Sequence, residues 1–250
     1  MITAELHRFS LAGAVVGELE QTSSCVYSGF DRDDDDQDDD DDQDDDADDD
    51  LPYLHFWGPI LFATNANRRK LLFVRLAVSY FDIRSVVLAL DATTLEELFR
   101  FAVDNEYYHT HTIALAQDQI YTYGHCHRGQ FMNIAVFSLD GVHVQDINVE
   151  GKWRVPASVC CSPLADRFFL VEIRLFEIDP GRIVTHSLDG EILQAYDSAL
   201  PGACQIGYTG RGETYKHDQV IAHGGKLLVL STQDFDQETA EQHIHTFQGA

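Results

Sequence analysis

The chain writes Phe137-Ser138-Leu139-Asp140-Gly141, then Ser187-Leu188-Asp189-Gly190, with a shorter copy at Leu90-Asp91. Leu90, Leu139 and Leu188 fall at an even period of 49 residues. A fixed period of ~40–50 residues marks a repeat architecture, whose unit cannot bury its own apolar face and stacks on its neighbours to do so. The phrase also has a turn chemistry of its own. Asp bonds to the backbone ahead of it and Gly accepts positive φ, so Asp-Gly between two apolar runs closes a tight hairpin. Asp140 and Asp189 are therefore read as turn residues and not as catalytic acids.

Laying the units on one another gives short apolar runs at 59–64, 70–78, 85–90 and 95–101, then at 112–116, 120–123, 133–139 and 142–149. A third unit follows at 157–161, 167–173, 182–188 and 191–196, and a fourth at 219–222, 226–231 and 243–247. Runs of this length, rich in Val, Ile, Phe and Tyr and bounded by Gly, Asp and Asn, are strands. Only 93–103 offers a helical alternative, with Leu95, Leu98, Phe99 and Ala102 at helical spacing, and its place in the repeat favours a strand. Four strands per unit at this period predict an all-β, β-propeller-like fold of four to five antiparallel blades. Residues 1–20 read as two further strands, because Phe9-Ser10-Leu11-Ala12-Gly13 echoes the recurring phrase. Uniting 5–20 with 219–247 in a split blade would close the ring. An incomplete arc finished by another chain is the other arrangement the strand count permits.

The stretch from Val155-Pro156-Ala157-Ser158-Val159 through Arg167-Phe168-Phe169-Leu170-Val171-Glu172, Gly181-Arg182-Ile183-Val184 and Ser187-Leu188-Asp189-Gly190-Glu191 resembles the NHL-type family of β-propellers. It shares that family's order of proline, short strand, acid-ended strand, Arg-started strand and Asp-Gly turn, over residues 105–231. No blade carries the family's Asp-x-x-Asn-x-Arg connection in full. No Trp-Asp dipeptide supports a WD40 assignment, and Gly224-Gly225 alone is similar to the kelch double glycine. The resemblance implies a propeller and leaves open whether it binds or catalyses.

Charge narrows the partners. The formal charge is −25, but residues 31–50 alone hold sixteen Asp against one Arg. Like charges at that density repel and offer nothing to bury, so 31–50 is expected to be a disordered insertion within one domain spanning 1–250. It does not meet the EF-hand pattern, which from Asp31 would need Gly and Glu where Asp36 and Asp42 stand. With no basic stripe, no nucleic-acid partner is expected. No secretory leader and no apolar stretch of the ~20 residues that span a membrane are evident. Five cysteines, Cys25, Cys126, Cys160, Cys161 and Cys204, without Cys-x-x-Cys spacing read as free thiols of an intracellular, cytoplasmic protein.

Two constellations could carry chemistry. A three-residue loop centred on Asp118 would set His111 opposite His125 and His109 opposite His127, with all four imidazoles on one face of a ribbon. Four such donors suit zinc or iron, as well as copper or nickel. The plainer reading is a polar rim, since a one-residue change of loop length sends half of them to the other face. The second constellation is the loop 198–217, whose Tyr208, Arg211, Tyr215 and Lys216 could hold a ligand or partner. No Gly-x-Ser-x-Gly elbow occurs. The expected function is a non-enzymatic protein-interaction or scaffolding module with a protein partner and no cofactor. The alternative is a metal-dependent propeller enzyme, hydrolase or oxidoreductase, acting on a small molecule.

Overall fold

The computed structural model describes residues 3–11, 19–28, 54–56, 59–78, 84–103, 108–126, 132–149, 154–174, 179–197, 200, 202–203, 215–233 and 241–248. The expected insertion at 31–50 lies outside them, as does His127.

Alternation of apolar and polar residues makes every described element a strand. A hairpin of β1 (Thr3–Leu11) and β2 (Leu19–Ser28) forms its own two-stranded sheet. Blade 1 pairs β3 (Leu54–Phe56) and β4 (Leu61–Thr64) with successive parts of β5 (Lys70–Val78), followed by β6 (Arg84–Asp91) and β7 (Glu97–Ala102). Blade 2 is β8 (Tyr108–Ala116), β9 (Gln119–Cys126), β10 (Met132–Ser138) and β11 (His143–Val149). Blade 3 is β12 (Arg154–Cys161), β13 (Arg167–Arg174), β15 (Arg182–Ser187) and β16 (Ile192–Tyr196), with the two-residue β14 (Asp179–Pro180) before β15. β14 and β17 (Gly202–Ala203) border blade 4, whose long strands are β18 (Tyr215–His223), β19 (Lys226–Gln233) and β20 (Glu241–Gln248). The architecture is a four-bladed β-propeller, at the lower end of the expected count. The split blade does not form, for β20 is an edge strand paired to β19 while β1 pairs with β2. The stretch with a helical alternative is strand β7, entered through a turn in which Leu95 has φ +62°.

The apolar core is a series of seams between blades. Phe73, Val87 and Ala89 of blade 1 meet Ile113, Ile120 and Phe137 of blade 2. Tyr121, Tyr123 and Ile134 of blade 2 meet Val159, Phe168 and Leu170 of blade 3. Phe169, Val171 and Ile183 of blade 3 meet Val220, Leu227 and Val229 of blade 4. The first strands of successive blades approach one another, β4 to β8, β8 to β12 and β12 to β18. Each of the last three bulges at one equivalent place, at His111, Ala157 and Asp218. A bulge leaves backbone groups without ladder partners, and side chains take them up. Buried Arg75 donates from Nη1 to the His111 carbonyl at 2.6 Å, and the Val220 amide donates to Ser158 Oγ at 2.9 Å.

The repeated phrase turns out to be part of the seam. Gly141 and Gly190 sit at φ +78° and +81°, and a Cβ on them would meet Phe101 at 2.7 Å and Ile147 at 2.6 Å on the preceding blade. It is the serine rather than the aspartate that fastens these turns, since Ser138 Oγ and Ser187 Oγ accept from the amides of Val142 and Glu191. Gly190→Ala is expected to lose about 2 kcal/mol, combining left-handed strain with displacement of Ile147. A urea-unfolding midpoint unchanged by that substitution would contradict the close approach.

Leu90 is not the counterpart of Leu139 and Leu188. Bulges in the ladders align Leu90 with Phe137 and His186, and Asp91 with Ser138 and Ser187. Asp91 does in blade 1 what the serines do later, accepting from the Thr93 and Thr94 amides at 2.8 and 3.1 Å. Those bonds and Arg69 hold its carboxyl below the usual carboxylate range. The even spacing of the three leucines is thus a coincidence at its first member, while the four-stranded repeat stands.

Candidate functional site

The histidine constellation is arranged differently from expectation. Gln117 and Asp118, both at positive φ, form a two-residue turn that pairs Ala116 with Gln119. Combined with the bulge at His111, this sets His109 opposite His125 and places His111 between the Thr110–Gly124 and Thr112–Tyr123 pairings. The shorter turn and the bulge each shift the register, so the predicted His111/His125 and His109/His127 pairs are replaced. The side chains of His109 and His125 lie outside the described residues. Of the second constellation, Tyr208 and Arg211 lie outside them too. Tyr215 and Lys216 belong to strand β18, opposite Gln233 and Thr232, so the connection is shorter than predicted.

The described residues instead form a groove of about 980 Å³ between blades 3 and 4. Its floor is apolar, made by Phe169, Ile183, Leu227 and Phe247 of the seam. One wall is β16, with Leu193, Gln194 and Tyr196, and the other is Thr246 and Gln248 of β20. Among the described residues β16 ends its sheet, so its outer backbone edge beside the groove carries no further strand there.

The turn 162–167 also lines the groove and is held by hydrogen bonds. Ser162 Oγ donates to Asp166 Oδ1 at 2.6 Å, the Ala165 amide donates to the Ser162 carbonyl, and Gln117 Nε2 donates to the Ala165 carbonyl from blade 2. Arg167 and Ser162 hold the Asp166 carboxyl down to about 2. The ion pair of Asp166 with Arg167, 2.8 Å apart, cancels the charge at the groove mouth. This turn carries Leu164 into solvent at 82% exposure, and Leu193 and Tyr196 are each 48% exposed along the wall. Three large apolar side chains thus stand around a trough of no net charge.

Two further polar features lie in the seams. Glu172, Arg182 and His186 share the face of blade 3 turned toward blade 2, with Arg182 Nε donating to Glu172 Oε2 at 2.6 Å. Cys160 and Cys161, adjacent on β12, point to opposite seams and are free thiols. Burial pushes them up to about 12 and about 11, which makes them poor nucleophiles. Among the described residues, no group of three or more His, Cys, Asp or Glu is placed to hold a metal ion.

No sequence signal announced the groove, because its walls come from 162–167, 193–196 and 246–248, stretches that only the stacking of blades brings together. The exposed Leu193 and Tyr196 on a strand with no buried residue were the nearest thing to a clue.

The sequence matches no protein-family model and no curated protein. Among solved structures it is similar to the periplasmic gluconolactonase of Pseudomonas aeruginosa, with a TM-score of 0.51 and 13% identity over 98% of this chain and 60% of that one. It is also similar to hydrazine synthase of Kuenenia stuttgartiensis, with a TM-score of 0.46 and 12% identity over 75% and 50% of the two chains. A third is the β-propeller domain of the trilobed protease of Pyrococcus furiosus, at 0.39 and 9% over 80% and 55%. The chain spans about half the length of the solved structures it matches. The likeness to the gluconolactonase is one of fold.

Proposed function

We propose that the chain is a non-enzymatic protein-interaction module that grips an extended, apolar-rich segment of a partner protein in the groove between blades 3 and 4. The observation that carries this reading is the row of Leu164, Leu193 and Tyr196 exposed around an apolar floor, beside the free edge of β16. An extended segment could add to β16 through its backbone and drop alternate side chains onto Phe169 and Phe247. The ligand of such a groove is a polypeptide, not a nucleic acid, because the trough is neutral in a chain of charge −25. The reading keeps the NHL-type affiliation and a reducing, intracellular setting for the thiols of Cys160 and Cys161.

The test is selection of linear peptides from a random library against the immobilised chain. Binders rich in aliphatic and aromatic residues are expected, and Tyr196→Ala with Leu193→Asp should weaken them tenfold or more. Binders indifferent to both substitutions would overturn the reading.

The second reading is the metal-dependent enzyme. The observation favouring it is the pairing of His109 with His125 beside the bulge at His111. Stoichiometric zinc or iron in the purified chain, lost on replacing His111 and His125, would shift the assignment to it.

A further inference from the structure

We infer that the outward face of blade 4 is the contact surface of a two-fold dimer of this chain. The argument starts from the equivalence of the blades. Phe73, Tyr121 and Phe169 occupy one position on the second strand of blades 1 to 3, and Leu228 occupies it in blade 4. Val87, Ile134 and Ile183 likewise correspond to Ile244. In blades 1 to 3 all six of these residues are buried at 8% exposure or less, each against the blade that follows. In blade 4 the same face carries Ile244 at 69% and Ile221 at 45%, with Leu228 and Leu230 half-buried between them. A sheet face shaped for a following sheet is thus presented to solvent.

Charge selects the occupant. The chain is strongly acidic, yet no described side chain on this face is a carboxylate; Gln219, Thr232, Gln242, Thr246 and Gln248 surround the aliphatic stripe, and Lys226 with His223 stands at its turn end. Two copies of so acidic a chain repel everywhere except where such a patch meets itself, and depletion of charge at the centre is the mark of a protein interface. Geometry then selects the symmetry. The opposite end of the stack is not available to receive blade 4, because Leu72, Val74, Leu88 and Leu90 on the outer face of blade 1 are already buried. Head-to-tail growth is therefore blocked, and like face on like face about a two-fold axis closes the assembly. Two twisted sheets packed in this way form a sandwich about 10 Å thick. The aliphatic stripe lies on the other side of blade 4 from the groove floor and meets the groove only at Thr246 and Gln248 on its rim, so neither proposal rests on the other.

Sedimentation equilibrium of the full chain from low to high micromolar concentration tests it. Dimerisation is expected, and Ile244→Glu, which places like carboxylates near the axis at an already exposed site, should weaken it tenfold or more with an unchanged circular dichroism spectrum. A monomer at every concentration, or a dimer that Ile244→Glu leaves intact, overturns the inference, as does a monomer whose blade 4 face binds a different protein. Hydrogen exchange on the unaltered chain gives a reading independent of the variant's folding. Slower exchange of β20 amides at the higher concentration supports the dimer, and concentration-independent exchange overturns it.

Discussion

Replacing Glu172 by alanine is expected to destabilise the fold by roughly 3–5 kcal/mol, the cost of leaving a buried ion-pair partner uncompensated. Glu172 is 2% exposed and Arg182 18%, and the two face each other directly across β13 and β15 in the seam toward blade 2. Removing the carboxylate leaves the guanidinium with Asp197, 3.7 Å away and itself 74% exposed, a contact that solvent screens. The pair need not be worth its desolvation, however. Blade 1 fills the same two ladder positions with Leu76 and Val86 and buries both. The double variant Glu172→Leu with Arg182→Val copies that blade, and its stability should return to near or above that of the unaltered chain. Urea-unfolding midpoints of the single and double variants decide the matter. A single variant that loses less than about 1 kcal/mol would show that Arg182 finds water when its partner goes.

The contrast between these blades shows what could be read from the sequence. Strand identity, the four-stranded unit and the Asp-Gly hairpins were legible because they depend on local alternation and turn chemistry, which Phe137–Gly141 and Ser187–Gly190 display within a few residues. The register of blade 1 was not. The turn after Asp91 closes on Glu96, whereas the turns after Ser138 and Ser187 close on Val142 and Glu191, so blade 1 uses one more residue there. Leu90-Asp91 therefore mimics Leu139-Asp140 while standing where Phe137-Ser138 stands. The His111 pairing failed for a related reason: a bulge costs one residue of register and has no composition of its own, as Ala157 and Asp218 at the equivalent places make plain. The groove and the bare face of blade 4 belong to a third level. They arise from how whole sheets stack, and side chains such as Tyr196 and Ile244 look like ordinary strand residues until the neighbouring blade is drawn.

His186 is the residue at which this stacking logic makes the chain sensitive to acid. Its counterparts are Leu90 and Phe137, so an imidazole occupies a position that the other blades fill with an apolar side chain. It is wholly buried, and neither ring nitrogen has a hydrogen-bond partner. Glu172 Oε1 lies 3.9 Å from Nε2, beyond hydrogen-bond reach, and the other oxygen of that carboxylate is held by Arg182. Burial, aided by the Arg182 charge, pushes the imidazole down to about 4. The unfolded chain takes up this proton near pH 6.5 and the folded chain only near 4, so between those values the unfolded state binds more protons. Stability supplied by keeping His186 neutral is complete above pH 6.5 and falls away as the pH drops toward 4, by about 3 kcal/mol in all. His186→Leu should remove this loss, giving unfolding midpoints that diverge progressively from those of the unaltered chain as the pH is lowered through that window. Curves for the two proteins that stay parallel from pH 7 to pH 4 would mean that the imidazole titrates alike in both states, and that the seam between blades 2 and 3 admits water.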